Sequence, residues 1–258
     1  MKHLILFSAL FVLSFLFFSC EKKDETPTGP GVQFSLEPQL NKQYNFQRWM
    51  LDSLDQKREG PFYFYEKCVA KNLSVGGKND AFLSLTYHNE FTIDSSYLRI
   101  EYGKDVYQWT DTLGFYFEDS KNNMKFLLNK IAQYYAWVPR ILLSKGDGAE
   151  YVLLSKRTYP VMIDTNFFAN VSFEMTGKNE GFENIQVPAG NYRTYKVKIT
   201  VKVEVYIGNQ KIDTFNMYQY YWVSDDLDWW IKSFSPTIKS NLLGVISTGQ
   251  TDELISVQ

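Results

Sequence analysis

The sequence predicts a mainly β protein, a curved antiparallel sheet or half-barrel carrying one amphipathic helix. Three observations lead there. Residues 195–207 alternate without a break: Tyr195, Val197, Ile199, Val201, Val203, Val205 and Ile207 are separated by Lys196, Lys198, Thr200, Lys202, Glu204 and Tyr206. A period of two places every apolar member on one face of a strand, whereas a helix would spread them around its circumference. Aromatic residues make up 17% of the chain, with 18 Tyr and 20 Phe, and such side chains favour a pleated, half-buried surface. Turn-forming residues divide the remainder into short apolar runs.

In chain order, segments 62–69, 81–87, 97–102, 106–109 and 115–117 read as strands. Residues 44–54 read as a weaker strand, with helix as the alternative. Met124, Leu127, Leu128, Ile131, Tyr135 and Val138 then recur at helical spacing, after Lys121-Asn122-Asn123 and before Pro139. That predicts the single helix, with its stripe packed into the core. Lys145-Gly146-Asp147-Gly148 is a turn between runs 141–143 and 151–154. After the long alternating strand, Gly208-Asn209 turns the chain into a return strand over 215–223. A three-residue loop pairing Ile207 with Lys211 puts Phe215, Met217, Tyr221 and Val223 beside the valines. A two-residue loop would put Tyr218, Tyr220 and Trp222 there, because one residue of slip exchanges the faces. The first register is preferred.

The N-terminus has a different character. Met1-Lys2-His3 precedes an apolar run over 4–18, then Ser19-Cys20 and the charged Glu21-Lys22-Lys23-Asp24-Glu25. A basic start, a short apolar stretch and a small residue before the cut define an export signal over 1–19. The run falls short of the roughly 20 residues a membrane-spanning helix needs. Ser19-Cys20 resembles the lipobox of bacterial lipoproteins, which implies that Cys20 carries acyl chains such as palmitate. Each buried CH₂ holds such an anchor by about 0.8 kcal/mol. Residues 20–35, with Thr26-Pro27-Thr28-Gly29-Pro30-Gly31, read as a lipidated tether that spaces a single β-rich domain, 36–258, on the order of 20 Å from the membrane. Lys23-Asp24-Glu25 resembles the surface-export signal of Bacteroidetes-type lipoproteins; the alternative is an ordinary solvated charge run. The expected location is the outer membrane, on its surface or its periplasmic face.

A second resemblance lies at 174–234. Glu183-Asn184-Ile185-Gln186-Val187-Pro188-Ala189-Gly190-Asn191-Tyr192 precedes the long strand, followed by Tyr221-Trp222 and Ile231-Lys232. This order resembles a group of uncharacterised envelope lipoproteins whose domain is similar to the half-barrel of periplasmic lipoprotein carriers. The resemblance implies a half-barrel and no assigned activity. Ser224-Asp225-Asp226-Leu227-Asp228 departs from it, being acidic and bulky where the family has small residues. Pro188 and Gly190 themselves read as a tight turn rather than a site.

Chemistry-bearing motifs are sparse. Net charge is −2, with no basic stripe for nucleic acid. Past the signal the only histidine is His88, and there is no nucleophile elbow, phosphate loop or zinc motif. Cys68, lying in a strand without a disulfide partner once Cys20 is lipidated, reads as a small buried hydrophobe. Asp225, Asp226 and Asp228 read as a solvated turn. No catalytic residue, metal or cofactor is expected. Trp222, Trp229 and Trp230, with Tyr218 and Tyr220, form the candidate ligand platform; adjacent Trp229 and Trp230 should take opposite faces. The expected role is non-enzymatic: binding an apolar or glycan ligand, or an envelope protein partner. The alternatives are a structural or assembly lipoprotein with no ligand, and a carboxylate-dependent hydrolase.

Overall fold

The computed structural model describes residues 35–88, 92–109, 135–164, 167–242 and 244–258. Fourteen strands are formed there: β1 (Gln43–Leu51), β2 (Lys57–Val75), β3 (Lys78–Tyr87), β4 (Ile93–Glu101), β5 (Asp105–Trp109), β6 (Trp137–Leu142), β7 (Glu150–Asp164), β8 (Phe167–Val187), β9 (Gly190–Ile207), β10 (Gln210–Ser224), β11 (Trp229–Ser235), β12 (Ile238–Ser240), β13 (Gly244–Ser247) and β14 (Gln250–Val257). Twelve of them form one sheet in the order β6-β5-β4-β3-β2-β1-β14-β11-β10-β9-β8-β7, and β12 and β13 pair separately. All pairs are antiparallel.

The sheet rolls into a nearly closed barrel. Val106, Val138, Ile141 and Leu142 from one end of the strand order share a buried cluster with Leu153, Phe173 and Val197 from the other. Arg140 of β6 reaches across to the Tyr221 hydroxyl of β10, 2.8 Å away. The edges β6 and β7 are joined by a short connection containing one 3-10 turn, Leu143–Lys145, and no ladder pairs them. Asn179 fastens this corner. Its side-chain NH₂ donates to the Leu142 carbonyl (2.9 Å) and its amide oxygen accepts from Tyr151 (2.9 Å). Tyr151 lies flat against Gly177, where a Cβ would come within 2.3 Å of the ring.

The alternating segment belongs to β9. Val197, Ile199, Val201 and Val203 are buried, while Lys196, Lys198 and Lys202 stay on the other face. The β9–β10 faces are those expected, but the turn differs. Gln210 pairs with Ile207, so the loop has two residues, and the shift between Lys211 and Asp213 then restores the phase. One extra residue in a bulge returns a slipped strand to the required face. Val187 pairs with Gly190, whose φ of 142° suits glycine. This turn brings Val187 against Trp229, Leu254 and Phe46 at one end of the barrel.

Residues 44–51 lie in a strand, and the helical alternative is set aside. The predicted helix and strand 115–117 lie largely outside the described residues; where they are described, Trp137–Leu142 is a strand, so the helical spacing does not extend to Val138. Pro139 is accommodated because β6 is an edge strand, where a missing N–H leaves no neighbour unpaired.

Candidate ligand-binding site

The inward face of the barrel changes character around its circumference. Along β8, β9 and β10 it is apolar, with Phe173, Met175, Val197, Ile199, Val201, Val203 and Met217 buried. Along β1, β2, β11 and β14 the same alternation brings polar groups inward. On β1, Tyr44 and Phe46 are followed at the next inward position by Arg48; on β2, Phe64 is flanked by Glu66; on β14, Leu254 is preceded by Asp252.

Asp252 is tied down. Arg48 donates Nε and Nη2 to its two carboxylate oxygens at 2.7 and 3.0 Å, and Ser233 donates its hydroxyl at 3.0 Å. Such a forked pair fixes geometry as well as charge. The Arg48 guanidinium also lies 4.9 Å from the centre of the Phe64 ring. From there an aromatic column continues inward: Phe64 stacks on Phe46 (5.2 Å), Phe46 on Trp230 (4.2 Å), and Trp230 meets Tyr221 edge-on (6.2 Å). The column ends at Arg140, which donates to the Tyr221 hydroxyl and to the Gln108 side-chain oxygen.

Glu66 hangs beside this column. One of its oxygens accepts from both the Trp229 and the Trp230 indole N–H, each at 3.0 Å. Burial is the main influence on its carboxyl, with the nearby Asp252 charge adding to it and the indole donors and Arg48 opposing. The outcome is a carboxyl pushed up to about 7. Nevertheless Glu66, Arg48, Arg140 and Trp230 all retain some accessible surface, although their contacts are with inward-facing neighbours. Burial likewise raises the Tyr221 hydroxyl, and Arg140 opposes this.

The five aromatic residues singled out in the sequence do not form one platform. Trp229 and Trp230 do not take opposite faces. Val223 pairs with Trp230 and Trp222 with Lys232, leaving Ile231 as the extra residue of a bulge; the bulge re-aims the strand end so that both indoles point at Glu66. Trp229 is buried, packed by Tyr44 and Phe82, and Trp230 is half-buried. Trp222, Tyr220 and Tyr218 lie on the outward face. Lys196 and Lys232 lie 5.4 and 5.3 Å from the Trp222 ring, and Lys198 lies 4.5 Å from that of Tyr218. Trp222 donates its N–H to Glu183 and is only 9% exposed. The lysine stems thus seal these rings as a second layer over the sheet. Glu66, Arg48, Asp252, Arg140 and Tyr221 were not among the candidates. The signal that marks three of them is a charged residue at an inward position of an otherwise apolar alternation.

The remaining candidates are placed simply. Cys20 lies outside the described residues. Cys68 is buried, and burial raises its thiol, which disfavours the thiolate. His88 Nε2 lies 2.7 Å from Asp94 Oδ2. Asp225 faces Arg193 at 3.3 Å. Among the described residues no group of three His, Cys, Asp or Glu side chains is placed to hold a metal.

No protein-family model matches the chain, and no curated protein matches it. Among solved structures, the chain is similar to a Bacteroides fragilis protein described as exported and of YmcC-like fold, at 10% identity and a TM-score of 0.38, over 87% of this chain and 99% of that one. A Parabacteroides distasonis lipoprotein gives 10% identity and 0.40 over the same shares. The lipoprotein YmcC of Escherichia coli gives 10% and 0.30, over 84% of each chain.

Proposed function

We infer that this is a lipid-anchored envelope protein whose barrel interior binds the apolar part of an amphiphile, without catalysing a reaction. The anchor rests on the lipobox-like Ser19-Cys20 and the tether behind it; the outer membrane is the location that follows from the adjoining charge run. One observation supports ligand binding over a purely structural role. Glu66 is set into an aromatic wall where its hydrogen-bond partners among the described residues are two indoles, and it keeps accessible surface there. A core built for stability alone gains little from a carboxyl without a salt bridge at such a position.

The hydrolase alternative is less well supported. It needs two carboxylates free to act on a substrate, and both oxygens of Asp252 are engaged by Arg48. The outward Trp222 layer lends little to glycan stacking, since its own lysines cover it.

Two experiments test the reading. Native mass spectrometry of the protein purified from its host membrane should reveal a co-purified amphiphile; an empty protein that also takes up no added amphiphile contradicts the binding role. Metabolic labelling with an alkyne fatty acid should mark the wild type and not Cys20→Ser, and label retained on the Ser variant contradicts the anchor.

A further inference from the structure

We propose that the barrel interior selects a zwitterionic head group, its ammonium paired with Glu66 and its anionic group with Arg140. This rests on the reading of the interior as an amphiphile site, and it adds the chemistry of the ligand's polar end.

Two ion pairs lie near the site. Arg48 and Asp252 neutralise one another, as do His88 and Asp94 when the imidazole is charged. Glu66 and Arg140 differ from these. Among the described residues, the hydrogen-bond partners of Glu66 are the neutral indoles of Trp229 and Trp230. Those of Arg140 are the neutral side chains of Gln108 and Tyr221. No salt bridge joins Arg140 to any carboxylate there. One inward-facing carboxyl and one inward-facing guanidinium are therefore each hydrogen-bonded to neutral groups there, with Arg48 acting on Glu66 through space and not by a salt bridge.

Their mutual placement follows from Tyr221. Arg140 bonds its hydroxyl, and Glu66 is close enough to act on the same hydroxyl electrostatically. The Trp230 ring, whose N–H holds Glu66, meets the Tyr221 ring edge-on. Glu66 and Arg140 thus flank one Trp230–Tyr221 step without touching. A buried charge without a counter-ion is unfavourable. A carboxyl relieves this by keeping its proton, but a guanidinium cannot shed its own. A ligand that brings only an anion satisfies Arg140 and leaves Glu66; one that brings only a cation does the reverse and adds to the repulsion from Arg140. A head group bearing both, in the order set by the two side chains, compensates each. Phosphoethanolamine has that chemistry: a primary ammonium with three N–H donors, and a phosphate suited to a guanidinium fork. The half-buried Trp230 ring beside them is the apolar surface that the start of the acyl chain would meet.

The test compares three probes of one chain length on the full-length protein in a nonionic detergent: lysophosphatidylethanolamine, lysophosphatidylglycerol and a primary alkylamine, with binding read by native mass spectrometry. The wild type should favour the ethanolamine lipid by about tenfold or more over either of the others, as charge-assisted contacts require. Glu66→Gln, which keeps an acceptor for both indoles, should abolish the preference over the glycerol lipid. Arg140→Gln should abolish the preference over the alkylamine, and Arg140→Lys should restore it in part. Equal binding of all three probes by the wild type overturns the zwitterion proposal and leaves the amphiphile reading standing. Failure of the wild type to bind any probe overturns both. A preference undiminished in Glu66→Gln or Arg140→Gln removes that residue's assigned role and with it the proposal.

Discussion

The β8–β9–β10 wall and the β1–β2–β11–β14 wall line one interior but follow different rules. The first is apolar at nearly every inward position, and its lysines stand on the outside. The second interrupts Phe46, Phe64, Ile231 and Leu254 with Arg48, Glu66, Ser233 and Asp252. Both belong to the same sheet, so the contrast is not imposed by the architecture. Burial of apolar area accounts for the first wall, at roughly 25 cal/mol per Å². The second gains less, since buried ion pairs stabilise little over apolar replacements of the same volume. Its polar groups therefore do not follow from stability alone.

The contrast breaks most sharply at Val201. Val201→Lys places an unpaired charge among buried valines and should unfold the domain, a loss of several kcal/mol. Thermal melting checks it, and a melt close to that of the wild type would mean that the first wall is not a core.

On the second wall, Arg48→Met should leave the Asp252 carboxylate, among the described residues, with the Ser233 hydroxyl as its side-chain partner. Breaking one half of a buried pair costs about 3–5 kcal/mol, whereas the double variant Arg48→Met/Asp252→Leu should recover most of the loss. Denaturant titration of the three proteins measures both effects; a double variant no better than the single one would show that the pair is needed for the fold itself.

Glu66 should make stability depend on pH. Its carboxyl is raised from 4.5 to about 7 in the folded protein, chiefly by burial, so between these values the folded state holds a proton that the unfolded chain has released. This contribution is fully present below about 4.5 and is lost as pH rises through about 7. Glu66→Gln cannot titrate, so its stability relative to wild type should improve from pH 4.5 to pH 8, by on the order of 3 kcal/mol. Melting curves at several pH values test the sign, and a constant difference would place Glu66 in water. Glu204, on the outward face, runs the other way. Hydrogen bonds from Lys156 and Tyr206 hold its carboxyl down at about 2, so its contribution is kept above 4.5 and lost only in strong acid.

The smallest effect is expected from Lys202→Thr. Lys202 is exposed and lies 3.2 Å from Glu204, which Lys156 and Lys211 also face. Its removal should change stability by no more than about 0.5 kcal/mol, and a larger loss in the same melts would mean that the outward lysines are structural.

Much of the fold was legible because alternation is a local signal. Tyr195 to Ile207 declared both faces of β9, and Val187-Pro188-Ala189-Gly190 declared its turn. The β9–β10 loop was misjudged because a two-residue turn followed by a bulge leaves the same faces as a three-residue loop. The same kind of irregularity hid the site. Trp229 and Trp230 share a direction only because of the extra Ile231, and adjacency alone says the opposite. Glu66 lay inside a strand that was correctly identified, yet its meeting with Trp229 joins residues 163 positions apart. Arg140 adjoins Pro139, just past the segment whose spacing predicts a helix. Such encounters are set by strand order, to which local periodicity gives no access.

The central claim, that Glu66 is an interior carboxyl open to a ligand, is tested most directly by carbon-detected NMR titration of its side chain, assigned by comparison with Glu66→Gln. A midpoint near 7 is expected in the free protein, falling when lysophosphatidylethanolamine is bound, because an ammonium partner favours the ionised form. A midpoint near the ordinary value of 4.5, unchanged by the lipid, would contradict it.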